Sequence, residues 1–298
     1  MLLLQMSVSI NELYSKSTLI EYRNTDEKYD IDQDASATGF FYEHEDDAYL
    51  VTNEHVVLDD SGNAIDSFDI RISPTQNVSE TERRQIKLLE NDSERWYGHE
   101  EADVAIVPLE LDFDSLSNLS YGKSDILPRN AQYQGSRMVS GGESAVVIGF
   151  PMGFTGANYL PIIRNALIST PYGLEFNDTP CFLTDSQMHE GMSGSPVLTD
   201  SKLASVNFKE DSLDPETEPE VTTSVMPVSR RYLLGIHSGP VSPVIESDIS
   251  TDQQPETEQE KELHEIKKRI SDLELLLDSQ ININRVWYAD LIHHILSD

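Results

Sequence analysis

The sequence predicts an all-β fold, from two observations on the region between about Thr38 and Ile236. Its apolar runs are short, rich in Val, Ile, Leu, Tyr and Phe, and separated by turn residues, a pattern typical of a sandwich or barrel. Strands do not alternate with long helices there, so a parallel βαβ sheet is not expected. Eight runs are candidate strands: GFFYE (39–43), AYLVT (48–52), DIRIS (69–73), DVAIVPL (103–109), SAVVIGF (144–150), PCFLT (180–184), SPVLT (195–199) and YLLGIHS (232–238).

The remaining segments have other patterns. An early helix is predicted around residues 7–19, and KEDSLDPETEPE (209–220) has the acidic, proline-containing composition of a solvated loop. Residues 251–280 begin as an acidic linker and become helical near residue 256, where an apolar stripe recurs at helical spacing. This helix, 256–279, either packs on its own domain or mediates self-association or contact with a regulatory partner. The last residues, INRVWYADLIHHILSD, predict a short strand and a terminal helix.

The composition is strongly acidic. Lys and Arg number 21 against 53 Asp and Glu, which gives a formal charge of −32. Such a charge repels nucleic acid and anionic lipid and attracts basic segments, so we expect no nucleic-acid partner and no membrane partner. The excess of acid is also typical of proteins from salt-loving organisms, although acidic loops would give the same total.

The cysteine count and the N-terminus favour the cytoplasm. Cys181 is the single cysteine and cannot form an internal disulfide, whereas a secreted protein of this size usually has several. The N-terminal apolar run stops after four residues without a basic segment before it, and no run approaches the roughly 20 apolar residues needed to span a bilayer. Apart from the adjacent His293 and His294, no histidine or cysteine pair has ligand spacing, so we expect no metal and no cofactor.

The strongest local motif is GMSGSPV (191–197), which places Ser193 between small residues and ahead of a β run. Glycines beside a serine suit a tight turn that exposes the hydroxyl and directs backbone N–H groups inward. Such donors can stabilise the oxyanion of a tetrahedral intermediate. Taken alone, the motif is equally compatible with an ordinary turn serine.

Two further motifs supply partners for a nucleophilic serine. His55 directly follows an apolar strand in YLVTNEHVV (49–57), and a neutral imidazole can accept the serine proton and return it to a leaving amine. Asp103 precedes a buried strand in EADVAIVPL (101–109), where a carboxylate can fix the imidazole tautomer. The order is histidine, aspartate, serine, with separations of 48 and 90 residues.

The chain resembles the trypsin/chymotrypsin-like serine peptidases in the order of its histidine, aspartate and serine and in four sequence segments. TDSQMHEGMSGSP (184–196) is similar to the serine segment of HtrA-like peptidases, and VVIGFPMGF (146–154), LPIIRNALIST (160–170) and LLGIHSG (233–239) are similar to segments of cytoplasmic bacterial and archaeal members. The resemblance implies two six-stranded antiparallel β-barrels with a C-terminal helix and the active site between the barrels. The N-terminal barrel would occupy about residues 30–125 and the C-terminal barrel about 135–298, with 251–280 as a helical insertion.

The resemblance also implies roles for individual residues. His55, Asp103 and Ser193 would form the triad of a serine endopeptidase acting on a protein or peptide substrate, with the backbone N–H groups of Gly191 and Ser193 as oxyanion donors. Ser238 would support the aspartate. Gln187, Ser238 and Gly239 would form the substrate pocket, and Gln187 stands where trypsin-type enzymes keep an aspartate, which argues against simple Arg or Lys specificity.

Two alternative functions are open at this point. The first is a peptidase-like binding protein that is inactive, or becomes active only when a partner orders the oxyanion loop. The second is an α/β-hydrolase esterase, which also uses serine, histidine and an acid. That class has the order serine, acid, histidine and a G-x-S-x-G elbow, and neither is present in this sequence.

Overall fold

The computed structural model of the chain describes residues 13–26, 31–72, 81–91, 93–110, 119–133, 136–155, 159–200, 205–207, 222–224, 230–241 and 282–297. The predicted acidic loop (209–220) and the predicted helix (256–279) lie outside these residues. Within the described ranges, no helix has the length and apolar character needed to cross a membrane.

The secondary structure is almost entirely strand. The first group of strands is β1 (Ser17–Asp26), β2 (Ile31–His44), β3 (Asp47–Thr52), β4 (Ser67–Ile72), β5 (Glu82–Lys87), β6 (Leu89–Glu90), β7 (Ser93–Glu94), β8 (Tyr97–Gly98), β9 (Ala105–Leu109) and β10 (Tyr121–Gly122). The second group is β11 (Gln132–Tyr133), β12 (Ser136–Arg137), β13 (Ser144–Gly149), β14 (Ile162–Ile168), β15 (Cys181–Asp185), β16 (Pro196–Thr199), β17 (Ser205–Asn207), β18 (Thr222–Ser224), β19 (Leu233–Pro240) and β20 (Ile283–Tyr288), followed by helix α1 (Asp290–Ser297). Short 3₁₀ turns lie at Glu54–Val56, Lys123–Asp125 and Pro151–Gly153.

The predicted all-β class is confirmed, and each of the eight candidate runs overlaps a strand. The closing strand and helix are β20 and α1. Of the early helix predicted around residues 7–19, residues 13–15 are helical, whereas the prediction is wrong at residues 17–19, which belong to β1 and pair with β2. Pairing with β2 and β4 buries Leu19 and Ile20, and this tertiary burial outweighs local helix propensity.

The first group of strands forms a half-barrel rather than a closed barrel. Its order is β5-β4-β1-β2-β3-β9-β8, and β10 pairs in parallel with β2. In the described part of the chain the outer strands β5 and β8 do not pair with each other, since β8 has two residues and nearly all side chains of β5 are exposed. The sheet begins at Ser17, before the predicted barrel start near residue 30. Its core includes Leu50, Val57, Phe68 and Ile70.

The second group contains the predicted closed barrel of six antiparallel strands. The order around it is β13-β14-β15-β20-β19-β16. Its interior is apolar and includes Val147, Phe182, Val197, Val286 and Tyr288. Because this barrel has no free edge, its strand ends are held in fixed positions.

A shared apolar core joins the half-barrel to the closed barrel. It takes side chains from the half-barrel, the closed barrel and α1, among them Phe40, Val51, Ile106, Ile148, Leu198, Ile236, Trp287, Leu291 and Ile292. The ends of β3 and β9 therefore face the loop between β15 and β16, which contains Ser193.

A buried ion pair fixes the start of α1. Arg129 Nη2 donates to Asp290 Oδ1 at 2.9 Å, Arg129 Nε lies 2.7 Å from Asp290 Oδ2, and the guanidinium lies 4.2 Å from the centroid of the Tyr288 ring.

Replacing Asp290 with alanine leaves the guanidinium buried without its carboxylate. We expect the free energy of unfolding to fall by about 3 to 5 kcal/mol, measured by urea denaturation. Asp69→Ala, which breaks the exposed pair with Arg83, is the control and should change stability little. An equal loss in both variants would contradict the prediction.

Candidate active site

His55 and Asp103 are brought together by the pairing of β3 with β9. His55 follows β3 in the turn Glu54–Val56, and Asp103 lies just before β9. Thr52 at the end of β3 is opposite Ala105 at the start of β9, so the two strand ends lie side by side. The His55 imidazole Nδ1 is 2.8 Å from Asp103 Oδ2, and the His55 backbone N–H donates to Asp103 Oδ1 at 3.0 Å. The carboxylate therefore fixes both the backbone and the ring of the histidine.

Asp103 accepts a further hydrogen bond from the closed barrel. Ser238 Oγ donates to Asp103 Oδ2 at 2.7 Å, while the Asn53 side-chain amide donates to the Asp103 backbone carbonyl at 2.7 Å. Burial alone would raise the pKa of the Asp103 carboxyl, but hydrogen bonds from His55 and Ser238 and the nearby imidazole hold this pKa below its usual value. The group is a carboxylate at neutral pH and can orient His55 and stabilise its protonated form.

A β-bulge explains how Ser238 reaches the site. His237 pairs with Val286 and Gly239 pairs with Arg285, so Ser238 is an extra residue in β19. Bulges of this kind redirect a side chain and often lie beside active sites. The Ser238 hydroxyl reaches Asp103, and its carbonyl accepts a hydrogen bond from Ser193 Oγ at 3.1 Å.

Ser193 lies in the loop between β15 and β16, and its side chain is partly exposed. Its hydroxyl donates to Ser238, and in the described residues no hydrogen bond joins it to His55. The three residues thus meet around Ser238, but the hydrogen bond between nucleophile and base is not formed in this arrangement.

The turn ahead of Ser193 has the geometry expected of an anion-binding turn. The Met192 N–H donates to the His189 carbonyl at 3.2 Å, and Gly191 has a φ of 86°, as the third residue of a type II turn requires. The Glu190 carbonyl accepts from the Met152 N–H at 2.5 Å, so the Gly191 N–H, trans to that carbonyl, points away from Met152. Within the described ranges, neither Gly191 N–H nor Ser193 N–H donates a hydrogen bond, and both remain available for an oxyanion.

Thr38 on β2 holds this turn from the half-barrel, a contact that sequence reasoning missed. Its Oγ1 donates to the Gly191 carbonyl at 2.7 Å and accepts from the Phe150 N–H at 3.1 Å. Its backbone N–H donates to the Ser193 carbonyl at 2.8 Å. No local sequence signal identifies the role, because the partners of Thr38 lie more than 100 residues away in the chain.

The predicted pocket residues differ in their surroundings. Gln187 is exposed, whereas the neighbouring Met188 is partly buried against the interior of the closed barrel. Gly239 faces open space, with nothing within 4 Å of the position that a Cβ would take. A side chain at this position would therefore meet no neighbouring atom.

A cavity of about 380 Å³ adjoins His55 on the half-barrel side. It is lined by Tyr22, His55, Leu58, Asp59, Asp60 and Gly62. Burial raises the pKa of the Tyr22 hydroxyl, and the charges of Asp60 and Glu190 raise it further. The cavity is thus an acidic environment that favours basic groups. In the part of the chain described, no three His, Cys, Asp or Glu side chains are grouped so as to hold a metal ion.

One comparison with known proteins identifies the class of domain. The family model described as a trypsin-like peptidase domain matches residues 37–204, a range that includes His55, Asp103 and Ser193. Among solved structures, the chain is similar to the inactive form of Rv3671c from M. tuberculosis H37Rv, a serine-to-alanine mutant. That likeness has 13% identity and a TM-score of 0.43, and covers 97% of this chain and 88% of the other. No curated protein matches the chain.

Proposed function

The chain belongs to the trypsin-like peptidase family, and from this premise we propose that it is a serine endopeptidase that forms an acyl-enzyme on Ser193. The observation that carries the proposal is the convergence of three distant residues on Ser238. The Ser238 hydroxyl donates to Asp103, its carbonyl accepts from Ser193, and Asp103 contacts His55. A plain turn serine would have no reason to lie beside a histidine–carboxylate pair.

The proposed reaction uses each of these groups. Ser193 Oγ attacks the carbonyl carbon of a peptide bond, and its proton passes to His55 Nε2, because Nδ1 is engaged by Asp103. The N–H groups of Gly191 and Ser193 stabilise the resulting oxyanion. His55 then gives the proton to the leaving amine as the carbon–nitrogen bond breaks. A water, deprotonated by His55, hydrolyses the ester and restores the serine hydroxyl.

A second candidate is an inactive or partner-activated peptidase-like protein. The observation that favours it is the Ser193 hydroxyl, which is hydrogen-bonded to the Ser238 carbonyl instead of His55. Catalytic hydrogen bonds are often long or misaligned without substrate and form only in the complex, so this geometry is also compatible with an active enzyme. The two candidates differ in whether the isolated chain reacts.

The test is labelling of the isolated, folded chain with a fluorophosphonate at low and at molar salt. The endopeptidase proposal expects an adduct that mass spectrometry locates on Ser193, together with cleavage of internal bonds in a peptide library. High salt is included because a charge of −32 disfavours the compact state when it is unscreened. No adduct at either salt concentration, with far-ultraviolet circular dichroism still showing a folded β protein, would overturn the proposal in favour of the second candidate.

Thr38 should act as a positioning residue for the oxyanion turn. Thr38→Val keeps the side-chain shape but removes the hydroxyl that holds the Gly191 carbonyl and the Phe150 N–H. Small displacements of catalytic donors cost about 10²-fold in rate. We therefore expect fluorophosphonate labelling of Ser193 to slow by about 10²-fold, and Thr38→Ser to restore most of the rate because it returns the hydroxyl.

Thr18→Val is the matched control for Thr38→Val. Thr18 is also buried, and its Oγ1 also bonds to the backbone, donating to the Arg71 carbonyl at 2.7 Å and to the Leu19 carbonyl at 3.2 Å and accepting from the Arg71 N–H at 2.9 Å. Both variants should lose similar stability, but Thr18→Val should keep the labelling rate. Equal rates in the two valine variants would show that Thr38 has only a structural role.

A further inference from the structure

Several buried polar atoms on the strands of the closed barrel have no hydrogen-bond partner in the described residues, and two of them belong to side chains that face its interior. These two are the Nδ1 atom of His237 and the Oγ1 atom of Thr184, on side chains that are 2% and 0% exposed. Leaving a polar group buried and unpaired costs about 1 to 3 kcal/mol, and native proteins rarely do so without a reason. Neither atom has a part in the mechanism above.

Both side chains face the interior of the barrel at the same end. His237 is directly opposite Val286, which belongs to the interior cluster, and paired residues of antiparallel strands share a face. Thr184 is two residues beyond Phe182, another member of that cluster, and side chains two apart on a strand also share a face. Thr184 pairs with Asn284, which is two residues from Val286 on β20. The two orphan atoms thus lie on adjoining positions of one interior surface.

This end of the barrel lies directly under the nucleophile loop. The Gly194 N–H donates to the His237 carbonyl at 2.9 Å, and the His237 N–H donates to the Ser195 carbonyl at 2.9 Å. Met192, fully buried, and the partly buried Met188 pack in the same interior cluster. His237 is thus joined through its backbone to both residues that follow Ser193.

The surface offers hydrogen bonds but no fixed charge. Burial, and then the nearby His55, lower the pKa of His237 to about 4, so its imidazole is neutral at neutral pH. The nearby groups Asn284 and Thr184 are uncharged. A neutral imidazole provides one donor and one acceptor, and a threonine hydroxyl provides both.

We propose that His237 and Thr184 form the base of the pocket for the substrate residue preceding the cleaved bond, and that this residue is glutamine. The inference rests on the proposed function. A glutamine carboxamide has both an acceptor oxygen and donor hydrogens, and it satisfies both orphan atoms without adding charge. Lysine or arginine would be buried without a carboxylate, and an apolar residue would leave both atoms unpaired.

Glutamate is the competing side chain, and charge disfavours it. A buried carboxylate needs a positive partner, which here requires protonation of His237. Burial lowers the pKa of His237, so its imidazole is neutral at neutral pH and offers a carboxylate no positive charge before substrate binds. The chain's charge of −32 further repels acidic segments.

The test uses peptides that differ only in the residue before the cleaved bond: glutamine, its near-isostere methionine, glutamate and lysine. Sites built to hydrogen-bond a polar group strongly reject analogues that lack it. We expect kcat/KM for glutamine to exceed that for methionine by about 30-fold, with glutamate and lysine lower still. Thr184→Val and His237→Leu should each reduce the ratio of glutamine to methionine by about 10-fold, because each removes one hydrogen bond. The proposal would be overturned if kcat/KM were equal for the methionine and glutamine peptides, or if neither variant changed the ratio of the two values.

A second readout separates this inference from the proposed function. Fluorophosphonate labelling of the unaltered chain tests the nucleophile, because the probe does not need the pocket, and far-ultraviolet circular dichroism establishes that Thr184→Val and His237→Leu are folded. Product-like peptides ending in glutamine or methionine are measured by calorimetry, which needs no turnover. If Ser193 is not labelled but the glutamine peptide binds selectively, only the endopeptidase proposal is contradicted. If Ser193 is labelled but the glutamine peptide is neither bound nor cleaved in preference to the methionine peptide, only the glutamine pocket is contradicted.

Discussion

Replacing Ser193 with alanine is expected to lower kcat by about 10⁶-fold, the largest effect that we expect from any single substitution here. In the proposed mechanism the hydroxyl oxygen forms the acyl-enzyme, and no neighbouring group can take its place. Its one hydrogen bond is to the Ser238 carbonyl, on a partly exposed side chain, so its removal should change stability little. The measurement is kcat on a peptide substrate, together with the free energy of unfolding in urea.

Ser195→Ala is the matched control for this substitution. Ser195 lies in the same motif, and its buried Oγ has no partner in the described residues, so alanine removes no hydrogen bond there. We expect kcat within a factor of about three of the unaltered chain, because no partner is lost. More than one hundredth of the activity remaining in Ser193→Ala, with contaminating peptidases excluded, would show that another residue is the nucleophile.

Asp103→Asn is expected to lower kcat at neutral pH by about 10⁴-fold. The amide presents a donor where His55 Nδ1 needs an acceptor, so the ring is held in the wrong tautomer and its protonated form loses a stabilising charge. The substitution should also leave the Ser238 hydroxyl with a weaker acceptor. The loss is expected in kcat more than in KM, because the imidazolium forms only during the reaction.

The same substitution has a pH signature in stability. The pKa of Asp103 is lower in the folded chain than its ordinary value, so the carboxylate stabilises the fold above the unfolded pKa of about 4, and this contribution is lost as pH falls through the folded pKa. The unaltered chain should therefore exceed Asp103→Asn in unfolding free energy at pH 7, and the difference should shrink below about pH 4. Glu54→Gln, a neighbouring carboxylate, is the control and should change kcat by less than about tenfold. A larger loss of kcat in Glu54→Gln would mean that Glu54, and not Asp103 alone, orients His55.

Much of this site could be predicted from the sequence because its elements have local signals. His55 and Asp103 each adjoin a buried strand with a clear apolar run, and Ser193 lies among glycines that favour a turn. The resemblance gave Ser238 its supporting role, and the hydroxyl contacts Asp103. The closed barrel was predicted with the right number of strands, whereas the half-barrel has more strands than the six expected.

Other features depend on packing that no local pattern encodes. The Ser193 hydroxyl direction is set by a side-chain torsion, and Thr38 reaches Gly191 across 153 positions in sequence. His237 and Thr184 look like ordinary strand residues until their pairing places them on one interior face. Residues 17–19 likewise form a strand because they pair with β2, and not because of their own composition.

The position of β20 in the barrel has a consequence for the newly made protein. It follows every other strand described here in the chain, yet it lies between β15 and β19. During synthesis, the segments with His55, Asp103 and Ser193 leave the ribosome earlier, but β19 cannot be held on both sides until β20 has also emerged. Ser238, which connects the three, lies on β19. The contacts that Ser238 makes with Asp103 and Ser193 are therefore fully supported only after β20 has been translated.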